Sequence, residues 1–211
     1  MMKINVMNKQ TTRRLFFIAL VAVLITAFIV ALPKAAHADG AITVPAVPDG
    51  LQVTAEEGKV FLVGHAIGTQ NYICLPAGTG FAYSLFTPQA ILFDNNEQII
   101  THFFSPNPDE NNTIRATWED SRDSSRVWAA TVPNGSSTNA NFVAKDSIPW
   151  LKLKEVGRRD GPSNGDRLSN TTFVQRLNTH GGVAPTTGCA SLADVGNKAF
   201  VNYTADYFFY K

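Results

Sequence analysis

The sequence predicts an all-β protein: one antiparallel domain, arranged as a β-sandwich or closed like a barrel, with long loops and little helix. Three observations carry that expectation. About ten short runs either alternate apolar and polar residues or are apolar throughout, which is the strand pattern. Gly, Pro, Asn and Asp separate the runs at short intervals, and these are the residues that turns require. Finally, no stretch of about twelve residues carries the apolar spacing of an amphipathic helix.

The elements follow in order. Residues 39–52 hold Pro45, Pro48 and Gly50 and read as an extended lead-in to a β-rich domain over 53–211. Val60–Val63 and Gln70–Leu75 open the domain, followed by Phe81–Phe86 and Ala90–Phe93. Asp94-Asn95-Asn96 turns the chain into Ile99–Phe104, which places Ile100, His102 and Phe104 on one strand face. A long polar loop, Ser105–Thr113, leads to the cleanly alternating Ile114–Trp118, and Arg126–Ala129 follows. Pro133–Asn141 is rich in Asn, Ser and Gly and reads as a mobile loop. Trp150–Lys154 and Thr171–Leu177 alternate, with the turn-rich Gly157–Asn170 between them. Ser191–Lys198 offers a turn or two of helix, and Ala199–Tyr203 and Tyr207–Tyr210 are strongly β-prone.

Residues 1–38 read as a secretory signal peptide. Lys3, Lys9, Arg13 and Arg14 precede an uncharged, apolar run from Leu15 to Leu32, and Ala36-His37-Ala38 has the small-x-small form of a cleavage site. Left uncleaved, the run is about long enough to anchor the chain in a bilayer, so any membrane contact is expected through this segment alone. Arg13-Arg14 also fits a twin-arginine signal. Either route gives a secreted, periplasmic or cell-envelope protein.

The segment holds five of the eighteen Lys and Arg residues and none of the seventeen acids. The chain from Asp39 onward therefore has thirteen bases against seventeen acids, a net of −4. That balance lacks the basic footprint of a nucleic-acid binder and sets that class of partner aside. Both cysteines, Cys74 and Cys189, lie beyond the cleavage site, and two cysteines in an exported chain favour a disulfide over a metal or redox pair.

Candidate chemistry is sparse. His65, His102 and His180 could together hold zinc, but their spacing puts no two on one strand or helix face, and the plainer reading is three unrelated histidines. Trp118 and Trp128 flank a polar segment containing Arg122 and Asp123, so they could clasp a carbohydrate or aromatic ligand. The plainer reading is a charged hairpin turn with its tryptophans packed inward. Glycoside hydrolysis needs two facing carboxylates, and Asp123 and Asp206 are the acids singled out with His102 for a catalytic role. No nucleophile elbow, His-Glu-x-x-His or P-loop is present.

Several blocks are nevertheless distinctive. Gly68-Thr69-Gln70-Asn71-Tyr72-Ile73-Cys74 fits G-x-Q-x-Y-x-C, and Pro149–Leu153, Gln175–Pro185, Gly188-Cys189 and Tyr203–Tyr210 follow in order. Together they resemble the exported family catalogued as domain of unknown function 3455, over about Val53–Lys211. The resemblance places both cysteines in family motifs, which implies their pairing. It also marks His102 as the family's histidine, and Gln70 and Tyr72 join Trp118 and Arg122 as candidate ligand contacts. One block departs: where the family shows Gly-Pro-x-Trp and Asp-Gly-Ser, this chain has Ser105-Pro106, a longer insert, Trp118 and Asp123-Ser124-Ser125. Some relatives carry the label malate dehydrogenase. A dinucleotide fold needs a strand, Gly-x-Gly-x-x-Gly and a helix, whereas Gly78-Thr79-Gly80 lacks both the third glycine and the helix. That activity is not supported, and no cofactor is expected.

The leading expectation is a non-catalytic β-sandwich that binds a small molecule, glycan or envelope component. The alternative is an extracellular hydrolase, metal- or carboxylate-assisted, centred on His102.

Overall fold

In a computed structural model that describes residues 41–211, eight antiparallel strands follow one another around a closed barrel. They are β1 (Val60–Ala77), β2 (Gly80–Asp94), β3 (Glu97–Asn107), β4 (Thr113–Asp120), β5 (Arg126–Ser137), β6 (Trp150–Arg159), β7 (Phe173–Gly181) and β8 (Lys198–Tyr210). Closure comes from β8 pairing back onto β1, from Val60↔Tyr210 to Ile73↔Lys198. The all-β antiparallel expectation holds, and of its two arrangements the chain takes the barrel. The signal-segment reading of residues 1–38 lies outside the described residues.

The apolar or alternating runs become eight strands because three pairs of them fuse, into β1, β2 and β8. Gly68, which reads as a breaker, is instead a point of close approach. A Cβ there would stand 2.1 Å from the Gln89 carbonyl oxygen, so β1 meets β2 at this rung only without a side chain. Pro88 is tolerated inside β2 because the β2–β3 ladder has already ended at Ala90↔His102, and no partner there needs the missing N–H.

Hairpin turns fall where the asparagines predict them. Asn95 and Asn96 take φ of 47° and 68°, the left-handed pair of a tight two-residue turn. The expected loop after Ser105 is shorter than the sequence suggests: β3 runs to Asn107, and a single 3₁₀ turn, Pro108–Glu110, precedes β4. Asn107 caps that turn by accepting from the Asp109 N–H. Residues 133–137, expected in a loop, continue β5, with Ser136↔Leu151 and Ser137↔Trp150 in register after a bulge. The helical turn expected over Ser191–Lys198 is the 3₁₀ turn Leu192–Asp194. No helix among the described residues is long and apolar enough to cross a membrane.

Alternation gives the barrel two apolar surfaces. Inside, Leu62, Leu92, Ile100, Val127, Val174 and Phe209 fill the end of the lumen where β1 starts and β8 finishes. The β6–β7 loop stoppers this end: Leu168 enters the core, held by Leu168 N–H to Ser125 Oγ (3.0 Å) and Arg167 Nη1 to Asp120 Oδ2 (3.1 Å). Outside, Trp150, Phe173, Leu177, Phe208 and Tyr210 are covered by the lead-in, whose Leu51 is fully buried. This second layer contains a polar clamp. Lys152 Nζ donates to the Gln52 carbonyl (2.7 Å) and to Glu57 (2.7 Å), while Gln175 donates to the Leu51 carbonyl.

At the other end Cys74 on β1 is bonded to Cys189 in the β7–β8 connection, with Cα atoms 5.5 Å apart. Backbone bonds Cys74 N–H to Asn197 O and Gly196 N–H to Cys74 O tie the same connection to β1.

Candidate functional site

Because apolar side chains and Leu168 plug one half of the lumen, the other half is left hollow. The cavity is about 490 Å³, and every strand contributes to its wall. Leu85, Phe104, Ile114, Ala129, Leu151 and Leu153 supply the apolar part of that wall, and polar groups supply nearly as much of it. Its polar members are Gln70 from β1, His102 from β3, Trp118 from β4, Arg176 from β7 and Tyr207 from β8, with Arg115 and Thr131.

The aromatic members interlock. The His102 ring stacks on Trp118 with centroids 4.4 Å apart, and Tyr207 packs against both at 5.1 and 5.6 Å. The ladder rung His102↔Trp118 produces this stack, since residues opposite each other on paired strands share a face. His102 Nδ1 lies 2.8 Å from the Thr117 carbonyl oxygen, which only accepts, so Nδ1 carries the proton and Nε2 the lone pair. Burial, helped by the Arg176 charge and only partly opposed by that hydrogen bond, pushes the His102 pKa down to about 3. The ring is therefore neutral at ordinary pH. Burial likewise raises the Tyr207 and Tyr203 phenols, whose oxygens lie 3.2 Å apart, so both stay protonated.

Donors outnumber acceptors here. Arg176 is half-buried and gives Nε and Nη2 to the Pro149 carbonyl (3.2 and 2.9 Å), yet it has no ion-pair partner among the described residues. Arg115, by contrast, is neutralised by Glu110 through a two-pronged contact (2.8 and 2.7 Å). Among the described residues Trp118 Nε1 is buried without a partner, while Gln70 Nε2 has only the nearby Tyr203 hydroxyl as a neighbour. No Asp or Glu lines the cavity.

The structure thus brings together Gln70, His102 and Trp118 from the sequence-derived candidates and separates the rest. Tyr72 is buried, and its hydroxyl donates to the Gly182 carbonyl (2.6 Å) in a structural contact. Arg122 is exposed and pairs with Glu97 (2.5 Å). Asp123 folds the β4–β5 turn by accepting from the Ser125 N–H (2.8 Å) and the Arg167 N–H (3.0 Å). Burial would raise the Asp123 carboxyl, but those amides, the Ser125 hydroxyl and the Arg167 charge outweigh it and hold it below the usual range. Asp206 sits on the outer face of β8, where it binds His65 Nδ1 (2.6 Å) and Asn178 Nδ2 (2.7 Å).

His65 and His180 are exposed and His102 is buried in the lumen, so the three histidines do not converge. Among the described residues no cluster of three or more His, Cys, Asp or Glu could hold a metal ion. Trp128 faces away from Trp118: it shares a rung with Thr117 and donates to Ser105 Oγ (2.8 Å), so the two indoles form no clasp.

Arg176 and Tyr207 were not among the sequence candidates. The available signal was Phe173-Val174-Gln175-Arg176-Leu177, a polar pair inside an apolar strand. It stayed ambiguous because both faces of β7 are buried, Gln175 under the lead-in and Arg176 toward the lumen.

A family model described as "Protein of unknown function (DUF3455)" matches residues 54–211. No curated protein and no solved structure matches the chain. The chain belongs to the DUF3455 family.

Proposed function

We propose that this DUF3455 barrel is a binding protein that holds one small, largely apolar molecule in the open half of its lumen. The observation that carries the reading is the 490 Å³ cavity walled by all eight strands. An eight-stranded barrel has just enough interior either to be filled by side chains or to enclose a small ligand, and this one is filled on one side only. A concave site that sets polar groups converging from several strands against an apolar wall is a common form of small-molecule site.

Binding is favoured over the hydrolase alternative by the state of His102. A general base works best with a pKa near the operating pH, and a group held near 3 is a weak one. Asp123 and Asp206, the acids considered with it, are occupied elsewhere in the fold. Action outside the cytoplasm is part of the proposal. It is supported by the Cys74–Cys189 disulfide, which reducing compartments disfavour.

The test is a thermal-unfolding screen of the disulfide-intact protein against small apolar molecules, glycans and envelope fragments. A ligand at about a hundred times its Kd stabilises by roughly 2.7 kcal/mol, a rise of about 5–10 °C for a domain of this size. Apolar ligands are expected to raise the transition, and a Leu153→Trp variant that fills the cavity should abolish the rise. A rise with glycans alone, or one that Leu153→Trp leaves intact, would move binding out of the lumen.

A further inference from the structure

We infer that the lumen ligand is a monoanion, an apolar molecule ending in a carboxylate that docks against Arg176. This inference rests on the lumen-binding reading and specifies its ligand.

The argument is an inventory of charges and hydrogen-bonding groups. Arg176 brings a full positive charge into a wall with no acid, and its contacts to the Pro149 carbonyl and the Tyr207 hydroxyl use only part of a five-donor fork. A guanidinium withdrawn from water normally has a carboxylate or phosphate partner, because desolvating an unpaired charge is costly. Here no acid lines the cavity, and the second arginine is already neutralised by Glu110. One uncompensated cation calls for one negative charge. A doubly charged phosphate would leave a net negative charge among Leu85, Phe104, Leu151 and Leu153.

The neighbours of the guanidinium do not neutralise it. Gln70 and Trp118 are each 1% exposed, and Tyr207, which hydrogen-bonds with Arg176, is held by burial as a neutral phenol. A planar carboxylate presents two oxygens and accepts from several N–H groups at once, a guanidinium in fork geometry above all. The apolar wall then receives the rest of the molecule.

The experiment compares octanoate, octanamide, octanol and octyl phosphate by calorimetric titration of the wild-type protein at neutral pH. Octanoate is expected to bind about tenfold or more tighter than the amide and the alcohol. Arg176→Met should bring octanoate down to their level while leaving the two neutral ligands within about twofold of wild type. If amide or alcohol binds as well as octanoate, or octyl phosphate binds best, the monoanion assignment falls while lumen binding stands. If none of the four binds, both fall. The wild-type comparison decides the matter even if Arg176→Met fails to fold. If that variant folds and keeps octanoate affinity, the role of Arg176 is overturned.

Discussion

The imidazole of His102 lies flat on the indole of Trp118, its plane within 7° of parallel, while its Nδ1 donates to the carbonyl of Thr117. Both rings are buried in the lumen, and that contact fixes the histidine as a neutral group. A proton added to it has no acceptor to reward it and a nearby guanidinium to repel it.

Acid should therefore unfold the barrel partly through His102. Its pKa is about 6.5 in the unfolded chain and about 3 in the fold. Between those values the unfolded state binds the extra proton, so stability falls as pH drops through this window and is constant, for this group, above it. The full loss is on the order of 5 kcal/mol. Urea unfolding of His102→Phe, measured from pH 7 to pH 3.5, should show a flatter profile than wild type, despite a lower starting stability from the unpaired Thr117 carbonyl. Parallel profiles would mean that His102 is not buried as described.

Ligand entry should be visible in one tryptophan. Trp118 lines the cavity, Trp128 faces the other side of the sheet, and Trp150 lies under the lead-in. Octanoate is expected to change the intrinsic fluorescence of wild type. The change should disappear in Trp118→Phe and persist in Trp150→Phe.

The lead-in should count as part of the domain although the family match begins at residue 54. Leu51 is fully buried on the outer wall, and Lys152 gives its ammonium to the Gln52 carbonyl and Glu57. Leu51→Ala is expected to cost about 2–5 kcal/mol in denaturant unfolding. A protein starting at Thr54 should lose more, with new binding of a hydrophobic dye. Lumen affinity in Leu51→Ala should stay within about twofold of wild type.

Reduction should be costly in a different way. The Cys74–Cys189 bond spans 115 residues. On the chain-entropy account its removal destabilises by about 4–5 kcal/mol, by freeing the unfolded chain. Equilibrium unfolding with and without reductant measures this directly, and coincident curves would show that the bond adds nothing.

The strands were legible in the sequence because alternation is local, and the asparagine turns were legible because αL backbone has few candidates. Closure was not, since it depends on Val60 meeting Tyr210 across 150 positions, and no periodicity encodes that partner. Gly68 misled for a related reason: it reads as an interruption until the Gln89 backbone beside it is known. Within the site, Gln70, His102 and Trp118 drew notice through motif and residue type. Arg176 did not, because a charged residue in a strand is ordinarily a solvent-facing one. Its inward direction follows from the lead-in covering the opposite face, a tertiary fact.

Closure also limits how the protein can meet other chains. Each strand has hydrogen-bonded neighbours on both sides for part of its length, β1 and β8 included, but β2 from Gly80 to Gln89 pairs only with β1, and β3 from Phe103 to Asn107 pairs only with β4. Sheets with open edges can be lengthened by an incoming strand, the route both to peptide capture by β-addition and to edge-to-edge aggregation. That route is narrowed here to the two stretches where β2 and β3 part beyond Ala90↔His102. Elsewhere recognition is left to side chains at the cavity mouth and to the exposed apolar residues of the outer wall, such as Ile67 and Phe200. Only along those two stretches could a second copy add a strand, so self-templating through the rest of the wall is closed off.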